Sequence, residues 1–517
     1  MAAPIRNITV VGGGTSGWIA ASYLARMFER KIRAGEMAIT LIESPRIAII
    51  GVGESMARPI ADLLRIIGVP EAEFIRRSNA TFKLGGYFTN WETDEHGRPV
   101  TWVNPFISQP DIQGINPGYL YAAYAMEKDG GPKREVYTDV TSICPALIRQ
   151  QRGPKRLNTP EYESDVPYSY HIDATELAKM LMERGKALGV RHILDDVEEV
   201  RLDEKGYVSE LQLKENGTHP IEFVIDATGF ASIIIGKVLG EPFEPFDKFL
   251  LNDRAAVAQI PHPDPTRIEP TTRATGMRAG WCFRVPLYNR IGSGYIFSSK
   301  FISDDEAISE FKAVSGPTAA DAEPRIIRMR IGKTRRSWVK NCLAVGLSSG
   351  FVEPLEATAI YSVQLSLHWF FNYFPDTDYD PALLARYNRL VDDLYTEFKE
   401  FICLHFYLSN RDDTPYWRAV RNDVEIPPGL QENLDVWRHT MPEQTDLRNW
   451  IFFSPTAYRS ALISKGFYKG RDFPQASPVP EAQWRDYLQA FRQQQQVLLN
   501  RLPGHYDLLR SIRGEAG

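Results

Sequence analysis

Residues Asn7-Ile-Thr-Val-Val11 run directly into Gly12-x-Gly14-x-x-Gly17, and an apolar segment opens at Trp18. A strand, a glycine turn and a helix in that order commit the chain to a βαβ unit of a parallel sheet. Gly12 permits the tight turn, Gly14 lets the backbone approach a pyrophosphate, and Gly17 lets the helix lie close to the strand. The helix N-terminus then offers free N–H groups to an anion. A second strand over 37–42 delivers Glu43 where a ribose hydroxyl needs an acceptor. These features predict a dinucleotide site; a tight strand–helix turn alone explains the glycines but not the acid.

A chain of 517 residues is too long for one core and suggests two to four domains. Hydrophobic residues at 43% and charged residues at 24% are those of a soluble globular protein. A net charge of −5, with no basic stretch interleaved with aromatics, argues against a nucleic-acid partner. Cys144, Cys282, Cys342 and Cys403 lie far apart without a CxxC pair, which argues against a metal site or a disulfide framework and for a reducing compartment. The early strand leaves no room for a signal peptide, and no apolar run reaches membrane-spanning length, so cytoplasm is expected.

Strand signals recur in three places: the fingerprint unit, a stretch from Tyr170 through a helix over 175–188 to strands near 191–194, 197–202 and 208–214, and Cys342–Phe351. They predict one sheet assembled from distant pieces. The second stretch closes on Phe223-Val-Ile-Asp226-Ala-Thr-Gly229, the kind of backbone that lies against a flavin nucleotide in two-dinucleotide-fold flavoproteins. Residues 104–166, rich in Pro, Gly, Asn and basic side chains, have little periodicity and are expected to form a long surface excursion. After Glu356 the pattern turns helical, over 358–373, 380–410 and 481–502. The expected architecture is therefore α/β: a discontinuous nucleotide-binding body of mixed sheets over 1–355, with a mainly helical substrate-covering module over 356–517.

Two short segments carry candidate chemistry. In Ala80-Thr-Phe-Lys83-Leu-Gly85, read as a strand, Lys83 sits among apolar residues and glycines and must either snorkel to water or meet a carboxylate. In Glu353-Pro354-Leu-Glu356-Ala-Thr358, both glutamates suit the first turn of a helix opened by proline. The following helix is apolar on most sides, which allows Glu356 to face protein, and a buried glutamate opposite a buried lysine would shift the proton affinity of both.

In these motifs, taken in order, the sequence resembles the flavin-dependent tryptophan halogenase family. The resemblance runs through Gly12–Ala21, Ile49-Ile-Gly-Val-Gly53-Glu54, Ala80–Gly85, Tyr170–Ala174, Asp226–Phe230, Gly346–Ile360, Leu404–Tyr407 and Thr414–Ala419. It implies a two-dinucleotide-fold flavoprotein holding FAD, used as FADH2, with Gly12, Gly14, Thr15, Ser16, Gly17, Glu43, Gly53, Asp226, Gly229 and Gly346 at the cofactor. It implies that O2 and chloride or bromide are co-substrates, giving hypohalous acid that Lys83 receives or orients. Glu356 would aid delivery of the halogen or take the proton from the ring. Thr358 and Ala359 would hold halide through their N–H groups, although the family usually has glycine where Ala359 stands.

The family's WxWxIP signature reads here Trp281-Cys-Phe283-Arg-Val-Pro286, with phenylalanine for the second tryptophan. By resemblance, Trp281, Phe283 and Pro286 line the passage between flavin and substrate. The paired tyrosines that hold free tryptophan are reduced to Tyr458, next to Arg459. An electron-rich indole-like or phenolic ring is thus expected over free tryptophan. No NAD(P)H module is evident, so a separate flavin reductase is the implied partner, and a homodimer is one open arrangement. A single-component aromatic monooxygenase and a degenerate flavin-binding protein are the competing readings.

Overall fold

The computed structural model describes residues 3–47, 51–126, 135–447 and 452–515. Ile49 and Ile50 of the Ile49–Glu54 motif lie outside the described residues. The chain gathers into two compact units, each drawn from three stretches: residues 1–80, 172–247 and 329–396 in one, and 81–171, 248–328 and 397–517 in the other. This division does not follow a boundary at 355/356.

The first unit is organised by a six-stranded sheet in the order Trp338–Val339, Cys342–Ala344, Phe223–Asp226, Asn7–Val11, Ala38–Glu43, Arg191–Leu194. Five strands are parallel; Trp338–Val339 pairs antiparallel at the edge. The central strands read as nearly continuous Val, Ile and Leu because both faces are covered. Helix Thr15–Met27 packs against both Ala174–Ala187 and Thr358–Asn372 here. Val11, Ile42, Val224, Ile234 and Cys342 share a buried cluster with Leu211 and Leu213 of an antiparallel meander. The sheet is thus assembled from distant pieces, as the strand signals predict. The exceptions are Val197–Leu202 and Val208–Leu213, which pair with each other in a separate antiparallel sheet, and Ser169–Ile172, which pairs with Thr81–Lys83.

The second unit is built on a seven-stranded sheet: Arg325–Arg328, Arg254–Ile260, Ile291–Phe297, Gly280–Pro286, Thr272–Gly276, Gly85–Thr93, Pro99–Pro105. All neighbours are antiparallel except Thr272–Gly276 with Gly85–Thr93. After Glu356 the described residues form helices, among them Pro381–Tyr407, Pro455–Ser464, Glu481–Arg501 and His505–Arg513. The stretch 104–166 is not the expected surface excursion. Its described part holds helices Pro117–Tyr124, Tyr137–Thr141 and Cys144–Arg149, with Leu120, Cys144 and Leu147 fully buried. Helices this short show no readable periodicity. Their start signals were present in Asn116-Pro117, where Asn116 accepts from the Gly118 N–H at 2.8 Å, and in Cys144-Pro145.

Candidate active site

Every nucleotide-facing residue expected from the sequence lies in the first unit. Gly12, Glu43, Asp226 and Gly346 stand at or just beyond the carboxyl ends of parallel strands, around the central strand where a doubly wound sheet opens its binding crevice. Gly12 adopts φ +116°, and a Cβ there would stand 2.3 Å from the Ala227 carbonyl oxygen; one on Gly17 would stand 1.8 Å from that of Gly12. By contrast, a Cβ on Gly14 or Gly229 would meet nothing within 4 Å, so the backbone is bare on the side a nucleotide would occupy. Gly14 caps the helix over Thr15–Met27 without a side-chain acceptor, and the first turn carries no acid. Ser16 approaches Gly346 so closely that a Cβ on Gly346 would be 2.3 Å from its hydroxyl oxygen.

Glu43 packs over Gly13, where any side chain would collide with its carboxyl carbon at 2.0 Å. Its carboxylate meets Nε2 of His192 at 2.9 Å, which fixes its direction. Gly13 and His192 are missed by a reading of the fingerprint alone. The Asp226 carboxylate accepts from Thr228, Ile234, Ile235 and Ser348, so it holds the turn that presents Gly229. Gly53 adopts φ +135°. Next to it, burial and the Asp173 charge push the Glu54 carboxyl up to about 7. A bare glycine face, an uncapped helix N-terminus and an oriented acid are the donor and acceptor set that FAD requires, and the residues fit it.

Glu356 closes a single 3-10 turn, Pro354–Glu356. Ala357 follows in the left-handed region at φ +59°, ψ +39°, and Thr358 starts the helix. A non-glycine residue held there costs about 1–2 kcal/mol, strain of the kind concentrated at functional sites. Glu356 is half-buried, while Glu353 is fully buried, so the deeper of the two glutamates is the one not singled out. Thr358 is buried, and the carbonyl of the partly exposed Ala359 accepts from the Ser362 hydroxyl at 2.7 Å.

Lys83 belongs to the second unit. It is 5% exposed, so it does not snorkel, and its ammonium lies 5.3 Å from the centroid of the Phe106 ring. Its strand pairs Thr81 with His171 and Lys83 with Ser169. Thr81 donates its hydroxyl proton to the Pro286 carbonyl at 2.6 Å, tying the lysine strand to the end of the signature strand. With that proton spent, the 3.0 Å contact between Thr81 and His171 requires Nδ1–H of the imidazole to donate, leaving Nε2 to accept from Thr272 at 2.9 Å. Burial, then the Lys83 charge, hold His171 well below the usual imidazole range.

On Gly280–Pro286, Trp281 and Phe283 share one face of the strand and Pro286 the other. Phe283 is partly exposed, with its ring against Gly294, where a Cβ would sit 2.6 Å away. Cys282 points to the opposite face, and burial pushes its thiol up to about 11. Tyr458 is buried edge-on to Phe401 at 4.7 Å and against Trp437 at 5.2 Å, its hydroxyl held protonated by burial and by Glu397 and Glu400. Lys155, Lys333 and Lys465 are buried too, and the sequence reading names none of them; Lys465 pairs with Glu92, whose other oxygen accepts from Trp102 Nε1 at 3.2 Å.

Fold and site together define a dinucleotide-binding oxidoreductase. The profile of the tryptophan halogenase family matches residues 7–481, and the chain belongs to that family. Tryptophan 7-halogenase RebH of Lentzea aerocolonigenes is 32% identical over 547 residues, spanning 99% of this chain and 100% of its own length. The crystal structure of tryptophan 6-halogenase SttH from Streptomyces toxytricini has a TM-score of 0.89 at 33% identity, over 98% of this chain and 100% of that one. BrvH, a flavin-dependent halogenase from Brevundimonas sp. BAL3, has a TM-score of 0.85 at 28% identity, over 98% and 99% of the two chains. The protein is a flavin-dependent halogenase. No helix among the described residues is long and apolar enough to cross a membrane.

Proposed function

We propose that this enzyme chlorinates or brominates an electron-rich aromatic ring, with Lys83 as the residue that takes up the halogen oxidant. The observation carrying this is a primary amine 5% exposed, on a strand fixed through Thr81, beside an aromatic ring. Bound reduced FAD, supplied by a separate NAD(P)H-dependent reductase, would furnish the oxidising power toward O2 and halide. Gly12, Gly14, Thr15, Ser16, Gly17 and Gly229 would seat its phosphates and Glu43 its ribose, with Gly53 and Gly346 giving room for close approach. The N–H groups of Thr358 and Ala359 would hold halide.

Lys83 would hydrogen-bond hypohalous acid or react with it: nitrogen bonds the halogen, and water leaves with the amine proton. The ring would then attack the halogen; the N–X pair would return to nitrogen, which takes up a proton to restore the amine, as the ring proton passes to the Glu356 carboxylate. Trp281, Phe283 and Pro286 would wall the route. Trp281, Phe283 and a single tyrosine, Tyr458, in place of a tyrosine pair suit indole-like or phenolic rings, because an amino acid's ammonium and carboxylate together would not recover their desolvation without matched partners. One observation favours a second substrate class, a ring bearing an ammonium: Glu397 and Glu400 both act on Tyr458.

The test supplies a flavin reductase and each halide in turn, with indole, phenol, tryptamine and free tryptophan in competition. Halide-dependent product with wild type and none with Lys83→Ala, at unchanged flavin affinity, is expected. Hydroxylated product without halide would make the protein a monooxygenase, and flavin binding without product a carrier. Preference for tryptamine would favour the second class, and preference for free tryptophan would reveal an amino-acid anchor elsewhere.

A further inference from the structure

The strand that carries Lys83 is three residues long and lies at the edge of its sheet. One side is paired with Ser169–Ile172. On the other, no strand accepts the Phe82 N–H; it donates instead to Nε2 of His505 at 3.1 Å. His505 is the first residue of the helix His505–Arg513 and is 1% exposed. Its Nδ1–H donates to the Ile268 carbonyl at 2.8 Å, which leaves Nε2 as an acceptor, so one neutral tautomer satisfies both contacts. Its backbone N–H donates to Gln151 at 2.8 Å, so the ring is anchored at its base as well. The neighbouring Leu84 N–H goes to Pro270 at 2.9 Å. Phe82 and Leu84 are the residues on either side of Lys83, and both are tied at the same edge.

We propose that His505 is a positioning residue for Lys83: its imidazole stands in for the missing strand and sets where the amine meets the oxidant. The proposal rests on the reading of Lys83 above. The His505 ring contacts described above are to Phe82 and Ile268, both in the unit that carries Lys83, so its loss should lower capture of oxidant while leaving oxidant production intact. A shift of about 1 Å in a reacting group can cost on the order of a hundredfold. A neutral acceptor of similar reach, the Gln side chain, should restore the contact to Phe82.

The experiment compares wild type, His505→Leu, His505→Gln and Lys83→Ala, each supplied with reductase, bromide and indole. It measures halogenated product per flavin turned over, free hypohalous acid caught by a chromogenic trap, and flavin affinity. His505→Leu should lose about tenfold to a hundredfold of product per turnover and release oxidant at unchanged flavin affinity, and His505→Gln should recover most of it. Product within about twofold of wild type in folded His505→Leu overturns the proposal, as does His505→Gln with the full loss. If His505→Leu does not fold, His505→Gln decides on the same scale. Undiminished product from Lys83→Ala overturns the reading of Lys83 itself, whatever His505 does.

Discussion

At the scale of single residues, the acid and the aromatic beside the proposed reaction separate cleanly in what they should do. Glu356 follows Pro354 in a tight turn, with Ala357 in the left-handed region directly behind it. Glu356→Gln keeps the shape but cannot accept the ring proton, so turnover should fall by about a hundredfold or more with flavin affinity unchanged. Product formation under reductase turnover checks this, and equal rates would remove Glu356 from the chemistry. Phe283 lies against Gly294, so its ring has no slack on that side. Phe283→Trp adds bulk that can grow only along the partly exposed side, where a passage would run. It should change the oxidant that escapes to a trap more than the ratio of products from competing rings.

Among the elements, the helix Pro455–Ser464 is fastened at its C-terminal end by Lys465, buried against Glu92. Trp91 and Trp102 stand with their ring centroids 5.5 and 5.8 Å from the ammonium. Burial lowers the lysine's proton affinity and Glu92 opposes it, so the pair survives as a matched charge. Lys465→Met strands the carboxylate and should cost about 3–5 kcal/mol, while adding Glu92→Gln should recover much of it. A urea-unfolding double-mutant cycle measures the coupling. Neither residue was legible in advance: 373 positions separate them, and nothing local marks either as a partner. The opposite holds for the nucleotide strands, because Val, Ile and Gly in fixed order encode a parallel strand and its turn. The helix expected over 175–188 forms over Ala174–Ala187, with Asp173 as its cap accepting from Thr175 and Glu176. The short helices within 104–166 failed to show because their apolar residues satisfy one turn each, too few for a period. Lys83 stands out in the sequence as an oddity and His171 lies within the Tyr170–Ala174 motif, but the link between them, and the part of His505 in it, show only in the folded chain.

Over the whole molecule, pH should set these interior groups against one another. His505 sits at about 4 in the fold against an ordinary imidazole value of 6.5, because burial disfavours its charged form. Between those values an unfolded chain takes up a proton that the folded chain refuses, so this residue withdraws stability as pH falls from about 6.5 towards 4. Glu54 and Glu397, both pushed up to about 7 mainly by burial, have the reverse sign: the fold keeps a proton that the unfolded chain releases, and their contribution is lost as pH rises through 7. A bare stability–pH curve mixes the two. Differences against variants separate them, because each removes one titration. Relative to His505→Gln, wild type should lose about 2 kcal/mol of its stability between pH 7 and pH 4.5. Relative to Glu397→Gln, it should gain over the same span. Urea unfolding of the three proteins at both pH values measures each difference. A His505 difference that does not move with pH would mean the ring titrates in the fold as it does in the unfolded chain, so that at pH 4.5 it is charged and Nε2 has no lone pair for the Phe82 N–H that holds the lysine strand.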